Sequence, residues 1–290
     1  MKITITGANS YLGRYITDYF LQNSNFQLNL VHSHHSNETD FIKNERIFNI
    51  KADLTDTFEK DFVRILKESD KIFHFAWVRG KNTQEVSEKN EKILFQLLKE
   101  IEKPEKLYFI SSVSGTPNTK SEYGKNKYKA LKIIQENKAI AIILGLVIED
   151  YPQKGPYKLL LKIAKLPISF RISKNEPLVF PIKKEVFANN LLQIATEEKP
   201  KNNYSIFEQP IGFNSFMQNI ENKQQKKRIK LRINANILLN VANILKKIKI
   251  FPSKIPDQIL TFFYKDSDFI LDKEIYNYNF NQNNYAKSSK

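Results

Sequence analysis

The chain of 290 residues contains no cysteine, two methionines, one tryptophan and eight glycines. Because there is no cysteine, a disulfide framework and a thiolate metal site are excluded, which suits a reducing compartment. The longest apolar run, AIAIILGLVI at residues 139–148, is too short to span a bilayer, which takes about 20 residues. The amino terminus has neither the basic region nor the cleavage site of a signal peptide, so we predict a cytoplasmic protein without a transmembrane segment.

Positive charge is what the sequence has in excess, with a net charge of +15. This balance favours acidic partners such as nucleic acid, an anionic membrane surface or phosphorylated small molecules. The densest basic stretch, NKQQKKRIKLR at residues 222–232, has no interleaved aromatic residue and matches no nucleic-acid motif. We therefore interpret it as a solvated loop and helix face, and we predict no specific nucleic-acid binding. Peripheral membrane proximity is a hypothesis from charge alone.

Short apolar stretches alternate with longer helical patterns through the first half of the chain. Strands are predicted at residues 2–7, 26–32, 48–54, 71–77, 106–112 and 139–148, and helices at residues 11–22, 58–67, 86–101 and 121–135. Such alternation predicts an α/β fold with a doubly wound parallel sheet. The YPQKGP turn after Asp150 ends this rhythm. We place a boundary at residue 157 and predict a smaller second lobe over residues 158–290, with segments returning to the main sheet.

The opening stretch, MKITITGANSYLGRYI, places Gly7 and Gly13 between the first strand and the first helix. The first glycine allows a tight turn, and the second allows close approach of backbone to a ligand. The amino end of the helix would offer N–H groups and a positive dipole to a pyrophosphate. Ser10 occupies the usual place of a middle glycine, and the stretch by itself is equally consistent with a structural turn.

Two further motifs lie at predicted strand ends. In ADLTD, Asp53 either accepts a hydrogen bond from an adenine amine or, with Thr55 or Asp56, caps a helix. In SEYGKNK, Tyr123 and Lys127 are four residues apart and share a helix face. A nearby ammonium favours phenolate, so such a tyrosine can act as acid or base near neutral pH. The stretch FISSVS just upstream supplies a serine hydroxyl for the same substrate oxygen.

With these motifs in order, the chain resembles the extended short-chain dehydrogenase/reductase family, in its nucleotide-sugar epimerase/dehydratase group. The matching stretches are TGANSYLG (6–13), ADLTD (52–56), IFHFAW (72–77), NEKILFQLL (90–98), FISSVS (109–114), YGKNK (123–127), LVFPIKKEVFANNL (178–191) and DFILDKEIYNYNF (268–280). The resemblance implies a Rossmann-type dinucleotide-binding domain over residues 1–157 and a substrate-binding lobe over residues 158–290.

The resemblance also implies roles for individual residues. Tyr123 is the acid/base, Lys127 lowers its pKa and holds ribose hydroxyls, and Ser112 orients the substrate oxygen, with Ser111 as the neighbouring candidate. The implied cofactor-binding residues are Gly7, Ser10, Tyr11, Leu12 and Gly13 around the pyrophosphate, His32, Asp53 and Leu54 around the adenosine, and Phe75, Ala76, Trp77 and Ser111 along the fourth and fifth strands, together with Tyr123 and Lys127. Trp77 either narrows the nicotinamide pocket or is a packing residue, and Asn90 is structural.

The chain departs from the family pattern at two informative places. The second strand ends in His32-Ser33-His34-His35, where NAD-preferring members carry a carboxylate, so NADP is favoured over NAD. We interpret these histidines as a surface turn beside the adenosine and predict no metal site. Val113 and Ser114 stand where sugar 4,6-dehydratases have an Asp-Glu pair, which argues against dehydration.

We therefore predict an NAD(P)-dependent oxidoreductase or epimerase acting on a sugar, with a nucleotide-linked keto-sugar of surface polysaccharide precursor synthesis as the expected small-molecule substrate. Hydride transfer with Tyr123 as acid/base is the expected mechanism, and a homodimer is expected from the family. The alternative is a catalytically weakened dinucleotide-sensing or scaffold protein on the same fold.

Overall fold

The computed structural model describes residues 1–34, 36, 41–80, 82–152, 155–224, 228–234, 237, 240, 257, 260–262 and 266–272. The described strands are β1 Lys2–Thr6, β2 Gln27–His32, β3 Ile47–Lys51, β4 Lys71–His74, β5 Leu107–Ser112, β6 Ile140–Leu144, β7 Leu146–Ile148, β8 Ile168–Ile172, β9 Leu178–Val179, β10 Pro181–Lys183, β11 Asn203–Ile206, β12 Ile211–Gly212 and β13 Ile229–Ile233. The described α-helices are α1 Tyr11–Asn23, α2 Lys60–Glu68, α3 Thr83–Glu100, α4 Glu122–Glu136, α5 Pro156–Ile163, α6 Lys184–Thr196, α7 Phe213–Asn222 and α8 Ser267–Leu271.

Seven parallel strands form the central sheet in the order β11-β6-β5-β4-β1-β2-β3. The order reverses between β1 and β4, which pair from Ile3 opposite Lys71 to Thr6 opposite His74. In doubly wound sheets, ligands bind beyond the carboxyl ends of the strands at this reversal. The predicted Rossmann-type α/β fold is confirmed, and the crevice that it implies begins beside Thr6 and His74.

The inner strands form because their sequences are nearly continuous apolar runs. All five residues of β6 are buried, as are the first five of β5. Helices that cover both faces of a parallel sheet impose this pattern. Aromatic side chains extend the core beneath α1, where the Phe73 ring lies 6.0 Å from Phe20 and 4.9 Å from Tyr108.

The stretch 139–148 was predicted as one strand, but the structure divides it at Gly145 into β6 and β7. β6 belongs to the central sheet, whereas β7 pairs with β10 in parallel. The backbone at Gly145 lies so close to Phe180 that a Cβ there would collide with the Phe180 carbonyl and lie 2.8 Å from Phe207 Cβ. Apolar periodicity carries no information about which sheet a strand joins, so the prediction merged the two.

The basic stretch 222–232 was predicted as a loop and helix face, and this is wrong for its second half. Residues 229–233 form β13, which pairs in parallel with β8 over its whole length. The sequence IKLRI alternates apolar and basic residues, which is the period of a strand. Residues 225–227 of the stretch lie outside the described part of the chain.

The chain divides into two compact units, each assembled from separate segments. The first unit contains Met1–Ser111, Lys129–Ile143 and Ala188–Tyr204, and the second contains Ser112–Tyr128, Leu144–Phe187 and Ser205–Lys290. The core of the second unit includes Leu160, Val179, Phe216 and Met217. The lobes at residues 1–157 and 158–290 stay a prediction. In the described part of the chain, no helix combines the length and the hydropathy of a membrane span.

Candidate active site

The loop after β1 closes against the end of β4 in the first unit. Gly7 has a φ of +71°, and a Cβ on it would lie 2.6 Å from the Ala76 backbone nitrogen. Only glycine fits both the positive φ and the close approach. The amide of Phe75 donates to the Thr6 carbonyl at 3.0 Å, which fixes Phe75 and Ala76 beside the loop.

Ser10 caps the helix that follows this loop. Its Oγ accepts a hydrogen bond from the Gly13 amide at 3.0 Å, and a Cβ on Gly13 would lie 2.9 Å from that same oxygen. Tyr11 and Leu12 are the first two residues of α1, so neither amide has a carbonyl four residues back within the helix. The first turn contains no acidic residue. The glycines are therefore structurally required, and the start of the helix also suits an anion.

His32, at the end of β2, is buried rather than part of a surface turn. Its Nδ1 lies 2.9 Å from Asn9 Oδ1, its Nε2 lies 2.8 Å from Asn49 Oδ1, and its ring stacks on Phe41. Burial lowers the pKa of His32. Of the other histidines in this stretch, His34 is exposed and His35 lies outside the described residues. The ring of His32 therefore holds Asn9, a member of the loop between Gly7 and Gly13.

Asp53 forms a local turn. Its Oδ1 accepts hydrogen bonds from the amide and the hydroxyl of Thr55, at 2.8 and 2.7 Å. The helix-cap alternative does not apply, because α2 begins at Lys60 with Glu59 as its N-cap residue. Leu54 beside it is buried.

The residues after β4 are held by α3. Asn90 Oδ1 accepts from the Val78 amide at 2.9 Å, and its Nδ2 donates to the carbonyls of Val78 and Val86. Trp77, next to Val78, is partly buried, and its ring lies 6.1 Å from that of Phe109. The contacts of Asn90 give it a structural role.

Ser111, near the end of β5, contributes a buried hydroxyl without a hydrogen-bond partner among the described residues. Leaving such a group unsatisfied costs about 1–3 kcal/mol. A polar group of a bound ligand would remove that cost. Its neighbour Ser112 is only partly buried, and Ser112 Oγ accepts from the Ser114 amide at 3.2 Å.

Ser112, Tyr123 and Lys127 all belong to the second unit. Two glycines bring the turn after Ser112 against α4. A Cβ on Gly115 would lie 3.0 Å from Lys127 Cβ, and one on Gly124 would collide with the Ser114 carbonyl. This contact places a hydroxyl at the end of β5 beside the helix that carries the phenol and the amine. Lys127 is 5% exposed, whereas Tyr123 is partly exposed.

The amino end of α4 is capped from far along the chain. Asp257 Oδ1 accepts from the Glu122 amide at 2.8 Å, and its Oδ2 accepts from the Tyr123 amide at 3.3 Å. A local cap adds to this, because Ser121 Oγ accepts from the Gly124 amide at 2.9 Å. A carboxylate at this end of a helix also interacts favourably with the positive end of the helix dipole. Sequence reasoning missed Asp257, since nothing in its own neighbourhood indicates a partner 134 positions earlier.

A second contact from the same region holds the turn before α4. The amide of Asp266 donates to Thr116 Oγ1 at 3.3 Å, and Asn118 Nδ2 donates to Asp266 Oδ2 at 2.8 Å. The Tyr128 ring meets Phe269 edge to face. Residues near the carboxyl end therefore fix the segment that carries the phenol and the amine.

One family model matches a stretch of the chain that includes the Gly7–Gly13 loop, the turn after Ser112 and α4. Residues 3–141 match the model of the NAD dependent epimerase/dehydratase family. The match covers slightly less than half of the chain and confirms, over these residues, the family resemblance that the sequence motifs indicate. The matched range contains the Gly7–Gly13 loop as well as Ser112, Tyr123 and Lys127. No curated protein shows significant sequence similarity to the chain.

Solved structures share the fold of this chain at low sequence identity. UDP-glucuronic acid 4-epimerase from Bacillus cereus, in complex with UDP-glucuronic acid and NAD, is 16% identical; the match covers 95% of this chain and 100% of that one, with a TM-score of 0.61. A nucleoside-diphosphate-sugar epimerase from Staphylococcus aureus is 12% identical, with 96% of each chain covered and a TM-score of 0.67. The terminal R domain of the myxalamid PKS-NRPS pathway is 14% identical, with 90% of this chain and 78% of that one covered and a TM-score of 0.67.

Substitutions at Ser10 separate its capping role from the space that it occupies. Ser10→Ala removes the bond to the Gly13 amide and is expected to lower the free energy of unfolding by about 1 kcal/mol. Ser10→Gly, which restores the usual family residue, is expected to cost only a few tenths of that figure, because glycine is itself a good N-cap. Urea unfolding followed by circular dichroism measures both, and equal losses for the two variants would contradict the capping role.

The cap at α4 is tested by Asp257→Ala. Because two helix amides lose their acceptor, the free energy of unfolding is expected to fall by about 1 kcal/mol. Asp257→Asn, which retains one acceptor oxygen, is expected to lose less. The control is Asp268→Ala, an exposed acid in the same region. Thermal melts of the three variants measure the effect, and a loss at Asp268 as large as that at Asp257 argues against the cap.

Proposed function

We propose that the protein is an NAD(P)-dependent oxidoreductase or epimerase acting on a nucleotide-linked sugar. The proposal rests on one close contact within the second unit. There, Gly115 and Gly124 allow the turn after Ser112 to pack against α4, the helix that carries Tyr123 and Lys127. A hydroxyl, a phenol and an amine in this arrangement suit proton transfer to and from a sugar oxygen. The family of residues 3–141 supports the reaction class.

The first unit's residues fit a nicotinamide dinucleotide. The amides at the start of α1, in a turn without acidic residues, would hold the pyrophosphate. Asp53 is the candidate for the adenine amine, and the unsatisfied Ser111 hydroxyl is a candidate for a further cofactor contact. When bound, the nicotinamide supplies or accepts a hydride at the sugar carbon.

The chain's own residues move the proton. Under this proposal Tyr123 Oη takes the proton of the sugar hydroxyl in oxidation and returns it in reduction. The Lys127 ammonium stabilises the phenolate and binds ribose hydroxyls, and Ser112 Oγ donates to the same sugar oxygen. Val113 and Ser114 are buried and carry no carboxylate, which favours reduction or epimerisation over dehydration.

The substrate class rests on charge and on structural neighbours. The Bacillus cereus enzyme was crystallised with UDP-glucuronic acid and NAD, and the Staphylococcus aureus protein is described as a nucleoside-diphosphate-sugar epimerase. A net charge of +15 suits a diphosphate substrate. The lack of a carboxylate at the end of β2 supports NADP over NAD. Polysaccharide precursor synthesis, a cytoplasmic location and a homodimer remain part of the proposal.

Tyr123→Phe tests the acid/base assignment. The variant keeps the ring and loses the hydroxyl, so turnover of a UDP-linked sugar or keto-sugar is expected to fall at least about 100-fold while NADPH binding is retained. Product analysis by mass spectrometry measures turnover, and nucleotide fluorescence measures binding. Tyr128→Phe, on the same helix, is the matched control and is expected to retain activity.

Two outcomes oppose the proposal. Nucleotide binding without turnover in the wild-type protein, unchanged in Tyr123→Phe, favours the sensing or scaffold alternative. Full activity of Tyr123→Phe removes the tyrosine from the chemistry.

Mass spectrometry of the purified protein separates epimerisation from reduction, because a retained NAD(H) favours an epimerase and an exchangeable NADP(H) favours a reductase.

A further inference from the structure

The two-stranded ribbon of β8 and β13 exposes an apolar face. Ile229 pairs in register with Ile168, and Leu231 pairs with Phe170, so these side chains share one face. Ile229 is 73% exposed, Leu231 46% and Ile168 36%, and Leu166 just before β8 is 45% exposed. Scattered exposed aliphatic residues need no explanation, whereas three on one small ribbon with a fourth just before it indicate an interaction surface.

The same ribbon is strongly basic. Residues 156–172 and 228–234 contain seven lysines and arginines and no acidic residue. Two of the arginines are fixed within the fold: Arg171 pairs with Glu221 of α7 at 2.5 Å, and Arg228 donates to the Ala164 carbonyl at 2.8 Å. Lys162, Lys165, Lys230 and Arg232 are exposed. Lys230 and Arg232 alternate with Ile229 and Leu231 along β13, so they project from the opposite face of this strand.

Internal hydrogen bonds join the ribbon to α7. Hydrogen bonds from Arg171 and Ser169 hold the pKa of Glu221 below its usual value, although burial alone would raise it. Arg228 also donates to the Glu221 carbonyl, which ties the start of β13 to α7. The side chain of Asn214 bonds both the amide and the carbonyl of Ile172, which closes the other edge of β8.

We propose that this ribbon surface, formed by Leu166, Ile168, Ile229 and Leu231 with Lys162, Lys165, Lys230 and Arg232, binds an anionic lipid bilayer. The aliphatic side chains enter the acyl boundary, and the long side chains of Lys230 and Arg232 extend past the edge of β13 to the headgroup level. Pairing of two β13 edges from two copies is disfavoured, because it would bring Lys230 and Arg232 of both copies together. The proposal does not rest on the proposed function.

Vesicle co-sedimentation of the full chain tests the proposal, with phosphatidylglycerol-containing vesicles compared with phosphatidylcholine alone. Binding is expected only to the anionic vesicles and is expected to weaken as salt rises from about 0.05 to 0.5 M. The double variant Lys230→Gln with Arg232→Gln is expected to weaken vesicle binding at least about tenfold, because each basic side chain near the bilayer adds to the attraction to anionic headgroups. Ile229→Ser with Leu231→Ser is expected to weaken it through lost apolar burial.

The matched control is Lys60→Gln with Lys67→Gln, which removes the same charge from exposed positions on α2. Equal loss in this control shows only a general effect of net charge and overturns the proposal. Absence of binding to anionic vesicles, or equal binding to phosphatidylcholine, also overturns it. Sedimentation velocity tests the alternative that a second copy of the chain binds the ribbon surface. Ribbon variants that change the oligomeric state without changing vesicle binding would support that alternative and overturn the proposal.

Discussion

The close approach between the turn after Ser112 and helix α4 is the constraint on which the proposed chemistry depends. Gly124 has no side chain where the Ser114 carbonyl lies, and Gly115 has none where the helix passes at Lys127. A larger residue at either position would push the turn away from the helix. Ser112 would then move away from the helix that carries Tyr123 and Lys127. The capping by Asp257 adds to this constraint, because it fixes the turn of α4 on which Tyr123 lies.

Local sequence signals predicted the fold and the position of helix α4, which carries Tyr123 and Lys127. Ser121 lies immediately before the observed start of α4, and its cap bond is short-range, so a pattern in the sequence was enough to place the helix. Apolar strands of the parallel sheet were equally visible. Asp257 was missed, and β6 and β7 were merged, because both features depend on partners distant in sequence. Pairing of β13 with β8 is likewise set by tertiary contacts.

Two departures from the family pattern have structural explanations. Ser10 replaces a glycine but accepts the Gly13 amide, so the helix start is capped while the amides of Tyr11 and Leu12 remain at its end. His32 replaces a carboxylate but is buried between two asparagines, one of which lies in the loop. Both substitutions support the shape of the loop, and neither removes a group that the proposed chemistry needs.

The measurement that tests the central claim most directly is NADPH binding by Lys127→Met, followed by nucleotide fluorescence. Methionine keeps most of the volume of this buried side chain and removes its charge. Lys129→Met, an exposed position on the same helix, is the matched control. Loss of charge-assisted hydrogen bonds to ribose is expected to raise the dissociation constant by at least about tenfold, with the control unchanged. An unaltered dissociation constant in a folded Lys127→Met protein would contradict the account, because the amine would then take no part in holding the nucleotide.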